Sequence, residues 1–222
     1  DHDGTYAVPG EMHLEPDEED SFATDLYFAC MDGETDWHPD MAYGRISVSS
    51  AAEAGVVVNK IINYEFNPPN TDAFYQNAVN CAQFQDVEDT EAADGYAARR
   101  FCHTSEEIRD YLLTKSYDVE RIYYTDPAHT PTHYNNGTYS NGESLPAELL
   151  RANGFAWEGG EADITASINA GKFLVFHRDH GYEGGSGWAH PEYTTSSMDN
   201  LTNTVLLPVV FSMNCHTGEF QL

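Results

Sequence analysis

Basic residues are what this chain has least of. Ten Lys and Arg stand against 37 Asp and Glu in 222 residues, a net charge of -27. Binding a phosphate backbone requires clustered Lys and Arg, so nucleic acid and anionic membrane surfaces are excluded as partners. Self-repulsion at such a charge is relieved by screening ions or bound Ca²⁺, which points to a saline or calcium-containing setting. Cysteine is also scarce. Cys30, Cys81, Cys102 and Cys215 are too few and too scattered for a disulfide framework, and none forms a CxxC pair. No apolar run approaches membrane-spanning length. No leader-like segment precedes Asp1, so the sequence reads as a processed chain or a fragment.

What is present is a folded globule, one large domain or one domain plus part of another. Hydrophobic residues make up 41% and aromatics 13%, too much for a disordered acidic tail. The chain is organised around its last fifty residues. The segment "KFLVFHRDHG" predicts a buried strand, Phe173 to Phe176, that breaks into a polar loop carrying His177, His180 and Gly181. The segment "VLLPVVFSMNCHTGEF" predicts a second buried strand that delivers Cys215 to its carboxyl end. Parallel strands of an open α/β sheet place their carboxyl ends along one edge, where ligands bind. A thiol and an imidazole brought together there form a nucleophile with its proton partner. Zinc is the competing chemistry, since His177, His180, His190, Cys215 and His216 lie in one region. The His177-x-x-His180 pair follows a strand, however, and zinc pairs favour tight spacing on a helix. His177, His190 and His216 read as polar rim residues.

The ordered series His180-Gly181, Trp188, "LTN" at Leu201 to Asn203, Pro208, and Cys215 with Gly218 and Phe220 resembles the gingipain family of cysteine peptidases, within the caspase-like clan. The resemblance implies a caspase-like three-layer α/β sandwich with a mostly parallel central sheet, preceded by part of a smaller α/β subdomain. Residues 1–74 would form that partial subdomain and residues 75–222 the catalytic one. It implies a cysteine endopeptidase acting on protein or peptide, secreted or at the surface of a bacterial cell. Cys215 would be the nucleophile and His180 its base or ion-pair partner, with the Gly181 N–H an oxyanion donor beside that of Cys215. Asp179 stands where the family has a small residue, and its carboxylate is expected to favour the charged form of His180. The sequence stops at Leu222, a few residues past the nucleophile. A missing C-terminal segment or a second chain is therefore expected. An inactive, calcium-stabilised adhesion or assembly module is the alternative function.

Upstream, "NAVNCAQF" predicts a strand over Asn77 to Phe84. Near its end the family carries an acid that orients the histidine. Straight alignment lands on Gln85 and a one-residue slip on Asp86. Asp86 is favoured, because a carboxylate stabilises imidazolium better than an amide does. The segment "DGYAARRFCHTSEEIRDYLLTKS" predicts a helix with Ile108, Tyr111 and Leu112 on one face, followed by the strand "VERIYYTD". Ala97 to His103 contains no acid, so a preference for basic side chains has no support. Cys102, His103 and Trp188 are the candidates to line a substrate pocket, and Arg99 and Arg100 read as exposed helix residues. The polar loop "DPAHTPTHYNNGTYSNGESLP" is a candidate rim, and "SLPAELLRANG" and "ADITASINAG" predict helices.

The first third predicts strands at Thr5 to Val8, Asp25 to Cys30 and Ala42 to Val48, then a helix capped by Ser50 with Val57, Ile61, Ile62 and Tyr64 on its apolar stripe. Asp32, Glu34, Asp36 and Asp40 crowd one turn with Gly33. Oxygen ligands of that kind suit Ca²⁺, but the spacing is not that of an EF-hand, and by composition alone a solvated turn has the edge. The run "TDLYFACMDG", "HPDM" and "GRISVSS" resembles the calcium-bearing segment of gingipains. That likeness implies a structural Ca²⁺ held by Asp32, Asp40, the His38 carbonyl and Asp36 or Glu34, with Glu11 a further ligand.

Overall fold

The computed structural model describes residues 11–14, 21–33, 36, 38–87, 93–135 and 142–220. The chain divides into two compact units, residues 1–68 with 218–222, and residues 69–217. The boundary thus lies a few residues before the expected one. The reason is the short helix α2, Asp72–Tyr75, whose buried Phe74 packs edge-on against Phe173 at 5.7 Å and so belongs with the second unit's sheet.

In the first unit, strands β1 (Glu11–Leu14) and β2 (Ser21–Thr24) pair antiparallel. The strand expected at Asp25 to Cys30 is instead a 3-10 turn over Leu26–Ala29, opened by the Phe28 N–H donating to the Asp25 carbonyl. The strand expected at Ala42 to Val48 is irregular backbone. Within it, Arg45 grips the Asp25 carboxylate through Nε at 2.6 Å and lies over the Phe220 ring at 4.0 Å. Helix α1, Ala51–Phe66, forms as expected, with the Ser50 hydroxyl accepting from the Glu53 N–H at 3.2 Å. Its apolar stripe is only partly covered: Val57 and Tyr64 are half-buried, while Ile61 and Ile62 are exposed. The expected strand at Thr5 to Val8 falls outside the described residues.

The second unit is built on four parallel strands in the order β4-β3-β5-β8. These are β3 (Asn77–Gln83), β4 (Asp118–Tyr124), β5 (Leu174–Arg178) and β8 (Val209–Met213). Helix α3, Phe101–Thr114, links β3 to β4, and α4, Glu161–Asn169, precedes β5. The period-two pleat sorts the strands between two layers. Val79, Cys81 and Val175 face Ile164 and Ile168 of α4, with Trp188 and Tyr193 in the same cluster. On the other face, Ala82 and Tyr123 cluster with Cys102 of α3 and with Trp157. This is the expected three-layer sandwich with a parallel sheet. Of the two helices expected between β4 and β5, the first is only a pair of 3-10 turns, Ala147–Leu149 and Arg151–Asn153. Pro146 and Gly154 interrupt the apolar period there.

Helix α3 is fastened to β4 by ionised groups as well as by packing. The Arg121 guanidinium donates to the buried Glu106 carboxylate at 2.8 and 2.6 Å, and the buried Tyr123 hydroxyl donates to the same carboxylate at 2.5 Å. Paired, hydrogen-bonded charges of this kind tolerate burial, whereas one alone does not. The clamp fixes the start of α3, and the start of α3 forms one wall of the site described next.

Candidate active site

Strands β5 and β8 are parallel neighbours in register, Arg178 opposite Met213. Each chain continues two residues past that pair, to His180 and to Cys215. The equal overhang brings both into one cavity of about 900 Å³ at the carboxyl ends of the strands. The cavity is lined by His180, Cys215, Asn214, Asp179 and Arg178 from the sheet, and by Arg99, Arg100, Phe101 and Thr104 from the α3 side. Cys215 is exposed, whereas Cys81 and Cys102 are buried, and burial pushes the Cys81 and Cys102 thiols well above the ordinary range. Of these three, only Cys215 is placed to react.

The histidine is oriented by Gln85, not by Asp86. The His180 Nε2 lies 3.0 Å from Gln85 Oε1, and the Gln85 Nε2 donates to the Val87 carbonyl at 3.3 Å, which sets the amide with its oxygen towards the ring. Nε2 therefore carries the proton, and Nδ1 is the nitrogen suited to exchange one with a thiol. Asp86 is buried and serves the loop instead, accepting from the Asp94 N–H at 2.9 Å and the Gly95 N–H at 3.0 Å. The Phe101 ring packs edge-on against His180 at 5.2 Å and completes its setting.

The turn that carries Cys215 is sharp. The Thr217 N–H donates to the Cys215 carbonyl at 2.7 Å, with His216 between them at a φ of 59°, left-handed backbone that a non-glycine residue adopts only at a cost. Gly181 packs against the turn. A Cβ built on it would lie 2.5 Å from the Cys215 carbonyl oxygen and 2.9 Å from the Asn214 side chain. Glycine is thus required for close approach, whatever else the Gly181 N–H contributes.

His177 is not a rim residue. It is fully buried at the end of β5, stacked on Trp188 with centroids 4.1 Å apart, and burial holds its pKa down at about 3. It is therefore neutral. Nε2 faces the His190 carbonyl at 3.3 Å and Nδ1 faces the Asn214 Nδ2 at 2.7 Å. Only one tautomer suits both, with Nε2–H donating and Nδ1 accepting. Asn214 Oδ1 in turn accepts from the Thr217 and Ser212 hydroxyls, and Ser212 accepts from the Trp188 Nε1 at 2.8 Å. The residue before Cys215 is thereby locked to the buried core of β5.

The three expected pocket residues lie elsewhere. Cys102 is buried between α3 and β4. His103 stacks on Tyr134 at 4.7 Å, near Glu107 and Glu143. Trp188 ends the hairpin of β6 (Gly181–Tyr182) and β7 (Gly187–Trp188), its buried ring stacked on His177. None of them is among the lining residues of the cavity. Arg99 and Arg100, expected on an exposed helix face, are half-buried in the turn before α3 and do line it. His190 is half-buried and stacked on Tyr124 at 4.4 Å, and His216 is exposed.

The Asp179 carboxylate engages backbone N–H groups. It is buried, its Oδ2 accepts the His190 N–H at 2.7 Å, and burial pushes its carboxyl up to about 7 from 3.8, outweighing that bond and the nearby Arg178 charge. Between those two values the folded chain keeps a proton that the unfolded chain has released. The resulting stability is complete below pH 4 and is lost as pH rises through 7. Asp179→Asn should therefore leave stability unchanged at pH 3.5 and raise it by about 4 kcal/mol at pH 8 in paired denaturant titrations. An equal effect at both pH values would contradict the assignment.

In the first unit, the carboxylates of Asp32, Asp36 and Asp40 offer oxygens that all lie within 4.8 Å of one another. Their present partners are backbone N–H groups: Met31 to Asp40 at 2.7 Å and His38 to Asp36 at 2.9 Å. Glu34 lies outside the described residues, as does the side chain of Glu11. Three convergent hard oxygens fit Ca²⁺ and leave room for carbonyl and water ligands.

The profile of peptidase family C25 matches residues 1–222. Two solved structures share the fold. The crystal structure of the Arg-specific cysteine proteinase gingipain R (RgpB) is 19% identical with a TM-score of 0.61, over 90% of this chain and 37% of that one. The complex of Porphyromonas gingivalis RgpB pro- and mature domains is 18% identical with a TM-score of 0.62, over 90% and 38%. The chain thus spans well under half the length of either. No curated protein matches. With its whole length covered and a parallel sheet that carries a histidine and a cysteine at adjacent strand ends, the chain belongs to peptidase family C25, the gingipain family.

Proposed function

We propose that this chain is the nucleophile-bearing part of a cysteine endopeptidase. The observation that carries the reading is the equal overhang of β5 and β8, which places the exposed Cys215 and the Gln85-oriented His180 on the walls of one cavity. The Cys215 thiol gives its proton to His180 as the sulfur attacks the scissile carbonyl carbon and forms the C–S bond, and His180 passes that proton to the leaving amine as the C–N bond breaks. Water then attacks the thioester carbon as His180 takes its proton, the C–S bond breaks, and His180 returns the proton to the departing thiolate. The backbone N–H groups of Gly181 and Cys215 are the candidates to hold the oxyanion. The Arg specificity named for gingipain R is not carried over, because arginines already line this cavity.

Asp32, Asp40 and either Asp36 or Glu34 are the proposed holders of a structural Ca²⁺, with the His38 carbonyl and Glu11 as further ligands, and the convergence of Asp32, Asp36 and Asp40 favours Asp36. Bound there, the ion would supply charge compensation and order, not chemistry. A secreted or cell-surface bacterial setting fits both that site and the net charge of -27. Strand β8 leaves Val210, Phe211 and Met213 about half exposed. A further segment or a second chain is the expected cover for this apolar edge, since open, apolar edge strands invite pairing.

Two outcomes test these readings. Cys215→Ala should abolish hydrolysis of a fluorogenic peptide panel, and equal turnover by variant and native chain would end the peptidase reading in favour of an inactive adhesion or assembly module. Raising Ca²⁺ to about 1 mM should raise the melting temperature of the native chain but not of Asp36→Asn or Asp40→Asn, because a ligand stabilises only the state that binds it. An unchanged melting temperature would remove the calcium site.

A further inference from the structure

The cavity lined by Cys215 and His180 gathers positive charge in an otherwise acidic chain. Three of its ten basic residues, Arg99, Arg100 and Arg178, line that cavity. They arrive from different elements. Arg178 ends β5, and Arg99 and Arg100 occupy the turn before α3.

Arg178 is held in place by neutral groups. Its Nη1 donates to the Met213 carbonyl at 3.0 Å, and its guanidinium lies over the Phe101 ring at 4.9 Å. Among the described residues no carboxylate comes within ion-pairing distance of it. Neither contact neutralises the charge, and both lie close to the site, because Met213 is two residues before Cys215 and the Phe101 ring also packs on His180 at 5.2 Å. Arg100 pairs with Glu107 at 3.3 Å, but that glutamate is about half exposed on α3, so screening weakens the pair. Asp179 is the only carboxylate on the cavity wall among the described residues. Its raised pKa keeps much of its negative charge out of the cavity near neutral pH.

A side chain that enters beside the attacked carbonyl therefore meets an apolar surface, the Phe101 ring and Met213, and then guanidinium groups. A short hydrocarbon stem that ends in a carboxylate matches that sequence of surfaces, and a guanidinium can grip both of its oxygens. A lysine or arginine side chain would instead meet charge of its own sign in a partly desolvated pocket. We infer that this site cleaves after acidic residues, Asp or Glu occupying the position whose carbonyl Cys215 attacks. The inference rests on the peptidase reading and specifies its substrate class.

The test uses the full chain with peptidyl chloromethyl ketones that are identical except at the residue bearing the reactive carbonyl. The residue is Asp, Asn, Glu, Gln, Arg or Lys, and labelling of Cys215 is followed by intact mass and peptide mapping. Asp or Glu should label at least about tenfold faster than its amide isostere, and Arg or Lys slowest, since a charge-assisted pair is lost in one case and a repulsion gained in the other. The advantage of acid over amide should shrink in high salt. It should fall in Arg178→Gln and be partly kept in Arg178→Lys, a pair of variants that separates lost charge from lost packing. Acid and amide labelling within twofold of each other, or faster labelling by Arg or Lys, would overturn the acidic preference and leave the peptidase reading intact. Failure of every peptidyl probe, with Cys215 still alkylated by iodoacetamide, would overturn both.

Discussion

The turn that carries Cys215 is tied to the sheet through the side chain of Asn214, and the site depends on that tie. Asn214 bonds to a histidine that burial keeps neutral, so the contact does not switch off across the physiological pH range. Its oxygen collects the hydroxyls of Ser212 and Thr217, and Trp188 closes the set by stacking on His177 and donating to Ser212. A left-handed residue at His216 is sustained only because this neighbourhood over-determines it. The missing Cβ of Gly181 then lets the loop that carries His180 reach the same turn.

Two opposite uses of burial divide the histidines of this region. His177 is desolvated, neutral and structural. His180 is half-buried, oriented through one nitrogen by Gln85, and faces the cavity. An amide in that orienting place holds the ring without adding a full negative charge beside it, and burial pushes the neighbouring Asp179 carboxyl up to about 7, so near neutral pH it carries only part of its charge. Positive charge is thus retained where the surrounding chain is strongly negative. The contrast gives the cavity a sign of its own, and sign is what steers and selects a charged substrate.

The sheet was legible because its strands are short apolar runs bounded by turns, and because the chemistry sits just past two of them. The expected first strand of that pair stopped at Phe176, since His177 and Arg178 look polar. What buries His177 is Trp188, brought over by a hairpin that no local pattern announces. The choice between Gln85 and Asp86 was set by a loop contact: Asp94 and Gly95 capture Asp86 and leave Gln85 for the histidine. Their place in the sequence suggests Cys102 and His103 for the pocket, but the turn into α3 lines the cavity with Arg99 and Arg100 and carries the two later residues into the core. The acidic first third was the hardest to read. Asp25 both opens a 3-10 turn and pairs with Arg45, and these contacts replace the two strands that its β-prone residues suggest.

The central claim is that sulfur and imidazole act as one unit. The direct measurement is the rate of alkylation of Cys215 by iodoacetamide at neutral pH, mapped by peptide mass, in the native chain and in His180→Ala. The expected result is a rate about tenfold or more lower without the imidazole, with Gln85→Ala falling between the two. Equal rates in all three chains would show that the histidine does not serve the thiol, and would contradict the assignment of the site.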